Sequence, residues 1–203
     1  MSTIAGGRIA MFYYRLSDRH ELRLLQTADA QELFALININ RTHLRQWLPW
    51  LDSINDVANT RNFIESMLEQ FIDRQGFVAA ICYNRSIVGT IGFNRIDRHN
   101  RLGYIGYWLA QSHQGQGIVT ASCRSLINYA FTILNLNRVV ITCATANDRS
   151  RAIPLRLGFS HEGIARDAEW LYDRYVDHDL YALLRCDWHD LSLKHQMLNH
   201  EQT

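Results

Sequence analysis

The stretch that most constrains the fold runs from Tyr107 to Thr120, Tyr-Trp-Leu-Ala-Gln-Ser-His-Gln-Gly-Gln-Gly-Ile-Val-Thr. An aromatic strand-like segment, Leu102 to Ala110, enters it, and a segment with helical apolar spacing, Gln116 to Leu134, leaves it. Gly115 and Gly117 stand at the turn. Glycine permits backbone conformations and close approach that a Cβ forbids. The first N–H groups of the departing helix have no partner within it, and its aligned peptide dipoles make that end partly positive. A phosphate or pyrophosphate is the ligand such a turn suits. Two common phosphate loops are excluded. Thr120 stands where G-x-G-x-x-G needs its third glycine, and no lysine follows the glycines.

The periodicity of the remaining segments gives the architecture. Glu21 to Leu25 alternates as a strand, and Ala28 to Asn38 sets Leu33, Phe34, Leu36 and Ile37 on one helical face. Arg41 to Leu51 reads as a short helix broken at Pro49, and Asp56 to Asp73 as a second amphipathic helix. Phe77 to Tyr83, Ser86 to Asp97 and Leu102 to Ala110 read as successive strands. Beyond the glycine turn and its helix come a β-branched strand, Arg138 to Ala146, and a short helix, Asp148 to Leu157, stopped at Gly158. Phe159 to Trp170 and His178 to Leu184 read as the last two strands. This order predicts one α/β domain with a mixed central sheet of about seven strands and flanking helices. The domain is expected over residues 20–186, between an N-terminal extension, 1–19, and a polar C-terminal tail, 187–203.

Composition narrows the function. Hydrophobic residues make up 47% of the 203 and the net charge is +1, which excludes disorder and argues against a dedicated nucleic-acid binder. No apolar run approaches the roughly 18 residues of a membrane span. The apolar patch Ile9 to Tyr14 ends at Arg15, too short for a signal peptide, so a cytoplasmic protein is expected. Of the 21 basic residues only Lys194, in the polar tail, is a lysine, which leaves no lysine for Schiff-base chemistry. Cys82, Cys123, Cys143 and Cys186 form no C-x-x-C pair and read as reduced core thiols. The histidines show no metal-ligand spacing outside the tail, so no metal is expected.

Gln114-Gly-Gln-Gly-Ile-Val119, set between strand and helix, resembles motif Q/R-x-x-G-x-G/A of the GNAT acyltransferase superfamily. Asn147-x-x-Ser150 followed by Leu157-Gly-Phe159 resembles that family's second motif. Gly106-Tyr-Trp-Leu109, Ala121-Ser-Cys-Arg124, His43-Leu-Arg-Gln-Trp-Leu-Pro-Trp50 and Gly163-Ile-Ala-Arg-Asp167 are similar to its RimL-type branch, the ribosomal-protein serine/alanine N-acetyltransferases. The resemblance covers roughly residues 20–186. It departs at Val119, where the family has Gly or Ala; the backbone N–H is retained and the side chain is bulkier.

The resemblance implies that acetyl-CoA lies between two splayed parallel strands, here Leu102–Ala110 and Arg138–Ala146. It implies pantetheine along Trp108 and Leu109, pyrophosphate at Gln114, Gly115, Gln116, Gly117, Ile118 and Val119, and Asn147 on the pantetheine arm. An amine would attack the thioester directly, with Glu169 as general base, Glu162 as its rival, and Ser150 supporting the thiolate. Trp47 and Trp50 would wall the acceptor groove. The acceptor implied first is a protein N-terminal α-amine, of a ribosomal protein. A small amine, antibiotic or polyamine is the alternative within the enzyme class, and a non-catalytic acyl-CoA sensor lies outside it. A homodimer through the hairpin Trp170–Leu184 is also implied.

The residues alone leave bland readings open. Ser150 could cap the short helix, Glu169 could be an exposed strand residue, and the tryptophans could simply pack. Pro154 requires the helix to begin or bend near Ser150. His113 is a candidate phosphate contact, and His178 a structural partner of Asp177 or Asp179.

Overall fold

The computed structural model describes residues 12–189. Its strands are β1 (Tyr13–Arg15), β2 (His20–Leu24), β3 (Phe77–Tyr83), β4 (Ser86–Asp97), β5 (Leu102–Leu109), β6 (Arg138–Ala144), β7 (Ser160–Leu171) and β8 (Arg174–Leu184). Its helices are α1 (Ala30–Ile39), α2 (Arg41–Leu44), α3 (Val57–Ile72), α4 (Ile118–Thr132) and α5 (Asp148–Arg156). The strands form one eight-stranded sheet in the order β1-β2-β3-β4-β5-β6-β8-β7. Only β5 and β6 pair in parallel; the other neighbours are antiparallel.

The sheet has one strand more than the periodicity predicts. Residues 13–15, within the stretch read as an extension, pair antiparallel with β2, Tyr14 opposite Leu22. Three residues are too few to display a period. Phe12 beside them is buried, with its ring tilted against Phe77 and edge-on to Tyr129. At the other end the expected tail begins inside the fold. Residues 185–189 are helical, and buried Trp188 donates its indole N–H to Asn128 Oδ1 at 2.7 Å. The remainder of both expected terminal segments, including Ile9 and Lys194, lies outside the described residues.

β3 explains how a mixed sheet carries two cores. Successive side chains on a strand point to opposite faces. Phe77, Ala79 and Ile81 join one apolar cluster with Phe93, Leu126, Ile127 and Val139. Val78, Ala80 and Cys82 join the other with Leu33, Ile37, Leu51 and Ile64. A strand covered on both faces therefore reads as an unbroken apolar run. Burying each large aliphatic side chain contributes about 1.5–3 kcal/mol. Cys82, Cys123 and Cys143 are buried, whereas Cys186 is exposed, a correction to its reading as a core thiol: its apolar context ends where β8 ends.

Pro49 does break the segment after α1, as its missing N–H dictates: α2 stops at Leu44, and Pro49 opens a separate 3-10 turn, Pro49–Ser53. β8 begins at Arg174, four residues before the expected His178. Its first residues, Arg174 to Val176, pair with the edge strand β7 alone and stay exposed or half-buried, so apolar side chains are not required there.

Candidate active site

β5 and β6 pair from Leu102↔Arg138 to Ile105↔Ile141 and then part. Each continues because its other neighbour holds it. β5 stays on β4 as far as Gly89↔Leu109, and β6 stays on β8 as far as Ala144↔His178. From Gly106 to Leu109 the β6-facing edge of β5 is therefore free of strand partners, Trp108 and Leu109 included. Such an edge offers main-chain donors and acceptors to an extended, amide-bearing ligand. A cleft of about 1580 Å³ opens there, walled by Trp108, Thr142, Cys143 and Asn147 among others.

The glycine turn closes one end of this cleft. Gly115 and Gly117 have φ of +76° and +74°, and a Cβ on either would meet nothing within 4 Å. The backbone conformation, not lack of space, calls for glycine. The first helical bond of α4 runs from Ala121 N to Gly117 O, and no side chain caps the helix. The N–H groups from Gly115 to Thr120 have no acceptor among the described residues. A row of free amides at the start of a 15-residue helix can hold an anion. Arg124, Arg149 and Arg156 line the same mouth, and Arg156 donates to Thr120 Oγ1 at 3.1 Å.

Gln114 has a different task. Its amide Nε2 donates to His43 Nε2 at 2.7 Å, while its Oε1 accepts from Arg149 Nη1 at 2.5 Å. It thus ties the turn to α2 and α5. Burial, and then the charge of Arg149, hold His43 below the usual imidazole range. Gln116 is exposed, Ile118 is buried, and Val119 packs partly against the larger core cluster. The departure at Val119 is accommodated on that side. His113 borders the cleft, edge-on to the Tyr83 ring.

At the start of α5, Asn147 Oδ1 accepts the Ser150 N–H at 3.1 Å. Asn147 is therefore the cap, and the reading of Ser150 as cap is overturned. Its Nδ2 is the group Asn147 has left to offer a ligand. The helix begins before Ser150, at Asp148, and contains Pro154. Proline has no N–H for the Ser150 carbonyl. The Tyr107 hydroxyl donates to that carbonyl at 3.2 Å and lies 3.1 Å from Ser150 Oγ. Burial raises the Tyr107 phenol well above its usual range, so it stays protonated. Burial also pushes the Cys143 thiol up to about 11, the Ser150 contact acting in the opposite direction.

The two candidate carboxylates differ sharply. Arg138 grips Glu162 through both guanidinium nitrogens and holds its carboxyl below the usual range. Glu169 lies after a register shift in β7: Ala165 faces His178, but the next pair is Glu169 with Val176. Asp167 takes up the distortion with φ of +49° and donates its N–H to Asp177 Oδ1 at 2.8 Å. Glu169 is half-buried while Arg166, Asp167, Ala168 and Trp170 are exposed, so the bland reading of Glu169 as an exposed strand residue fails. Its Oε2 is 3.4 Å from His178 Nε2, and both line the cleft. The pairing of His178 with a neighbouring aspartate is thereby corrected. Buried Asp179 instead meets Arg151 and His161, each at 2.7 Å.

Trp47 is half-buried, Trp50 is exposed, and both line the cleft with Phe63. The Tyr172 hydroxyl donates to Leu48 O at 2.6 Å, and the Arg45 guanidinium stacks 3.7 Å over the Tyr172 ring. The β7–β8 turn is thereby latched to the tryptophan loop. Sequence reasoning missed Tyr172 and Tyr107. For Tyr107 a signal existed, since Pro154 leaves one carbonyl of α5 in need of a donor. Among the described residues no group of three or more His, Cys, Asp or Glu is placed to hold a metal ion, and no helix is long and apolar enough to cross a membrane.

A parallel pair opened into a cleft, with unpaired amides at one end and a carboxylate and a serine on its walls, defines a group-transfer site for an extended anionic donor. The chain belongs to the GNAT family: residues 19–160 match the model of the acetyltransferase (GNAT) domain. YdaF of Bacillus subtilis (strain 168), provisionally named a ribosomal N-acetyltransferase, is 40% identical over 88% of this chain and 98% of its own. The solved structure of RimL, the ribosomal L7/L12 α-N-protein acetyltransferase in complex with coenzyme A, superposes with a TM-score of 0.84 at 29% identity, covering 87% of this chain and 99% of that one. The microcin C7 self-immunity acetyltransferase MccE, in complex with acetyl-CoA and AMP, gives 0.79 at 31% identity over 83% and 94%.

Proposed function

We propose that this acetyltransferase uses acetyl-CoA to acetylate a protein N-terminal α-amine, that of a ribosomal protein. The parting of β5 and β6 above the unpaired amides of Gly115–Thr120 carries the donor half of the reading. Pantetheine amides would complete the open edge at Trp108 and Leu109, and the pyrophosphate would take the amides of Gly115 to Val119. Asn147 Nδ2 and the arginines at the mouth supply further donors. The acetyl thioester then meets Ser150 and Glu169. The amine attacks the thioester carbonyl, its proton passes to Glu169 directly or through water, and the Ser150 hydroxyl donates to the departing thiolate.

For the acceptor, the support is the aromatic groove at Trp47 and Trp50 and the names of the two ribosomal relatives. A second reading, a small amine carrying a purine, is favoured by the same two indoles together with the AMP bound to MccE. We further propose a cytoplasmic homodimer joined through the β7–β8 hairpin, where Trp170 and Tyr175 are 52% and 59% exposed.

Gly117→Asp places a side chain and a negative charge against the proposed pyrophosphate site. Calorimetric titration with coenzyme A is expected to show at least about a tenfold loss of affinity, about 1.4 kcal/mol. Undiminished affinity in a folded variant contradicts the placement.

A further inference from the structure

We propose that His178 and Glu169 accept the acceptor's proton as a pair, Glu169 taking it at the cleft and passing it inward to His178. The inference rests on the reading of Glu169 as the base. Its starting observation is the two-residue register shift in β7. Ala165 pairs with His178, and the next pair is Glu169 with Val176, so two extra residues are accommodated between them. Val176 and His178 lie two apart on β8 and share a face. Glu169, opposite Val176, is thereby brought to that face, 3.4 Å from His178 Nε2. The Asp167 kink that absorbs the extra chain is pinned by Asp177, which points to the other face.

The exposures set the order of transfer. The Glu169 side chain is 32% exposed and that of His178 17%, so the carboxylate meets the acceptor first and the imidazole stands behind it. Alone, a carboxylate is a poor resting place for an ammonium proton, whereas an imidazole ordinarily titrates close to neutral pH. The proton leaves the ammonium nitrogen, binds a carboxylate oxygen, and moves to Nε2 of a ring protonated at Nδ1. The result is a neutral amine and an imidazolium–carboxylate ion pair, in which each charge favours the other. Water takes the proton when the site resets. At 3.4 Å the contact is longer than a good hydrogen bond, as catalytic contacts often are before substrate tightens them.

Among the described residues, His178 and Glu169 share no ion pair or side-chain hydrogen bond with a third group. Across β6, Ala144 faces it, and Thr142 next on that face carries no charge. Further along the same face of β6 is Arg138, which is held by Glu162. On β8 the flanking Asp177 and Asp179 point the other way, Asp179 to Arg151 and His161. Cys143, opposite Asp179, is on that other face. From β7, Glu169 is the ionisable group in contact.

His178→Gln keeps a polar side chain beside Glu169 and removes the proton acceptor behind it. The expected result is a kcat lowered by about tenfold or more with coenzyme A affinity unchanged. The acid limb of the kcat/KM profile is also expected to move to lower pH, because only a carboxylate remains. Wild-type kcat, or a reduced kcat with an unmoved acid limb, overturns the pair. A Glu169→Gln enzyme at the wild-type rate is a different failure, that of the base reading itself. A readout without change at His178 keeps the test open should His178→Gln not fold. In the Glu169→Gln variant the NMR titration of the His178 ring is expected to shift from that in the wild-type protein, and an unshifted titration overturns the proposal.

Discussion

At the residue scale the account depends on what each polar atom is left to do. The Ser150 hydroxyl does not cap α5, because Asn147 takes that role, and Tyr107 takes the carbonyl that Pro154 leaves without a donor. This arrangement was half legible in the sequence. Asn147-x-x-Ser150 marks the serine and Pro154 marks an irregularity, but the aromatic partner comes from β5, 43 positions before Ser150. Nothing local encodes such a contact. Tyr107→Phe keeps the ring and removes both hydroxyl contacts. It is expected to cost about 1 kcal/mol of stability and to lower kcat several-fold, with coenzyme A affinity unchanged. Chemical denaturation and steady-state kinetics check the two halves. An unchanged kcat shows that Ser150 needs no support from the phenol.

At the scale of elements, periodicity reveals the strands and helices because burial requires it, and it fails where burial does not. β1 is too short to carry a period, and the start of β8, which pairs with β7 alone, is partly exposed and shows no apolar alternation. The split of β5 from β6 follows from register, which the sequence displays only through family resemblance. The bracket His43–Gln114–Arg149, joining α2, the glycine turn and α5, has a pH signature. His43 accepts from Gln114 as a neutral ring and sits below its usual range, by burial and then by Arg149. The unfolded chain therefore binds the proton more readily than the folded one. The stability linked to His43 is present above about pH 6.5 and is lost as the pH falls below it. Burial lowers His20 in the same direction. The melting temperature is expected to drop between about pH 6.5 and 5, above the range in which paired carboxylates titrate, and His43→Gln is expected to flatten that drop. An identical acid slope in the variant refutes the bracket's role.

At the scale of the whole molecule, the proposed function assigns one half of the sheet to the donor and the other to the acceptor. The open edge of β5 and the glycine turn present main-chain amides, and α4 and α5 bring Arg124, Arg149 and Arg156 to the same cleft. The β7–β8 hairpin brings Glu169 and His178 to the cleft, and its turn is latched to the tryptophan loop by Tyr172. The charge balance of +1 gives no strong steering towards nucleic acid, and the proposed acceptor draws its support from the groove. A weak base behind an aromatic wall suits an amine that is already partly neutral. At about pH 7.5 roughly a third of an α-amine is neutral, against about one part in a thousand of a lysine side chain. Two peptides of equal sequence test this directly, one with a free N-terminus and no lysine, the other N-blocked with a single lysine. With acetyl-CoA and intact-mass detection, kcat/KM is expected to favour the free N-terminus by about a hundredfold or more. Comparable values for the two peptides, or acetylation of the blocked peptide alone, would contradict an α-amine acetyltransferase, and activity confined to a small amine would transfer the role to that class.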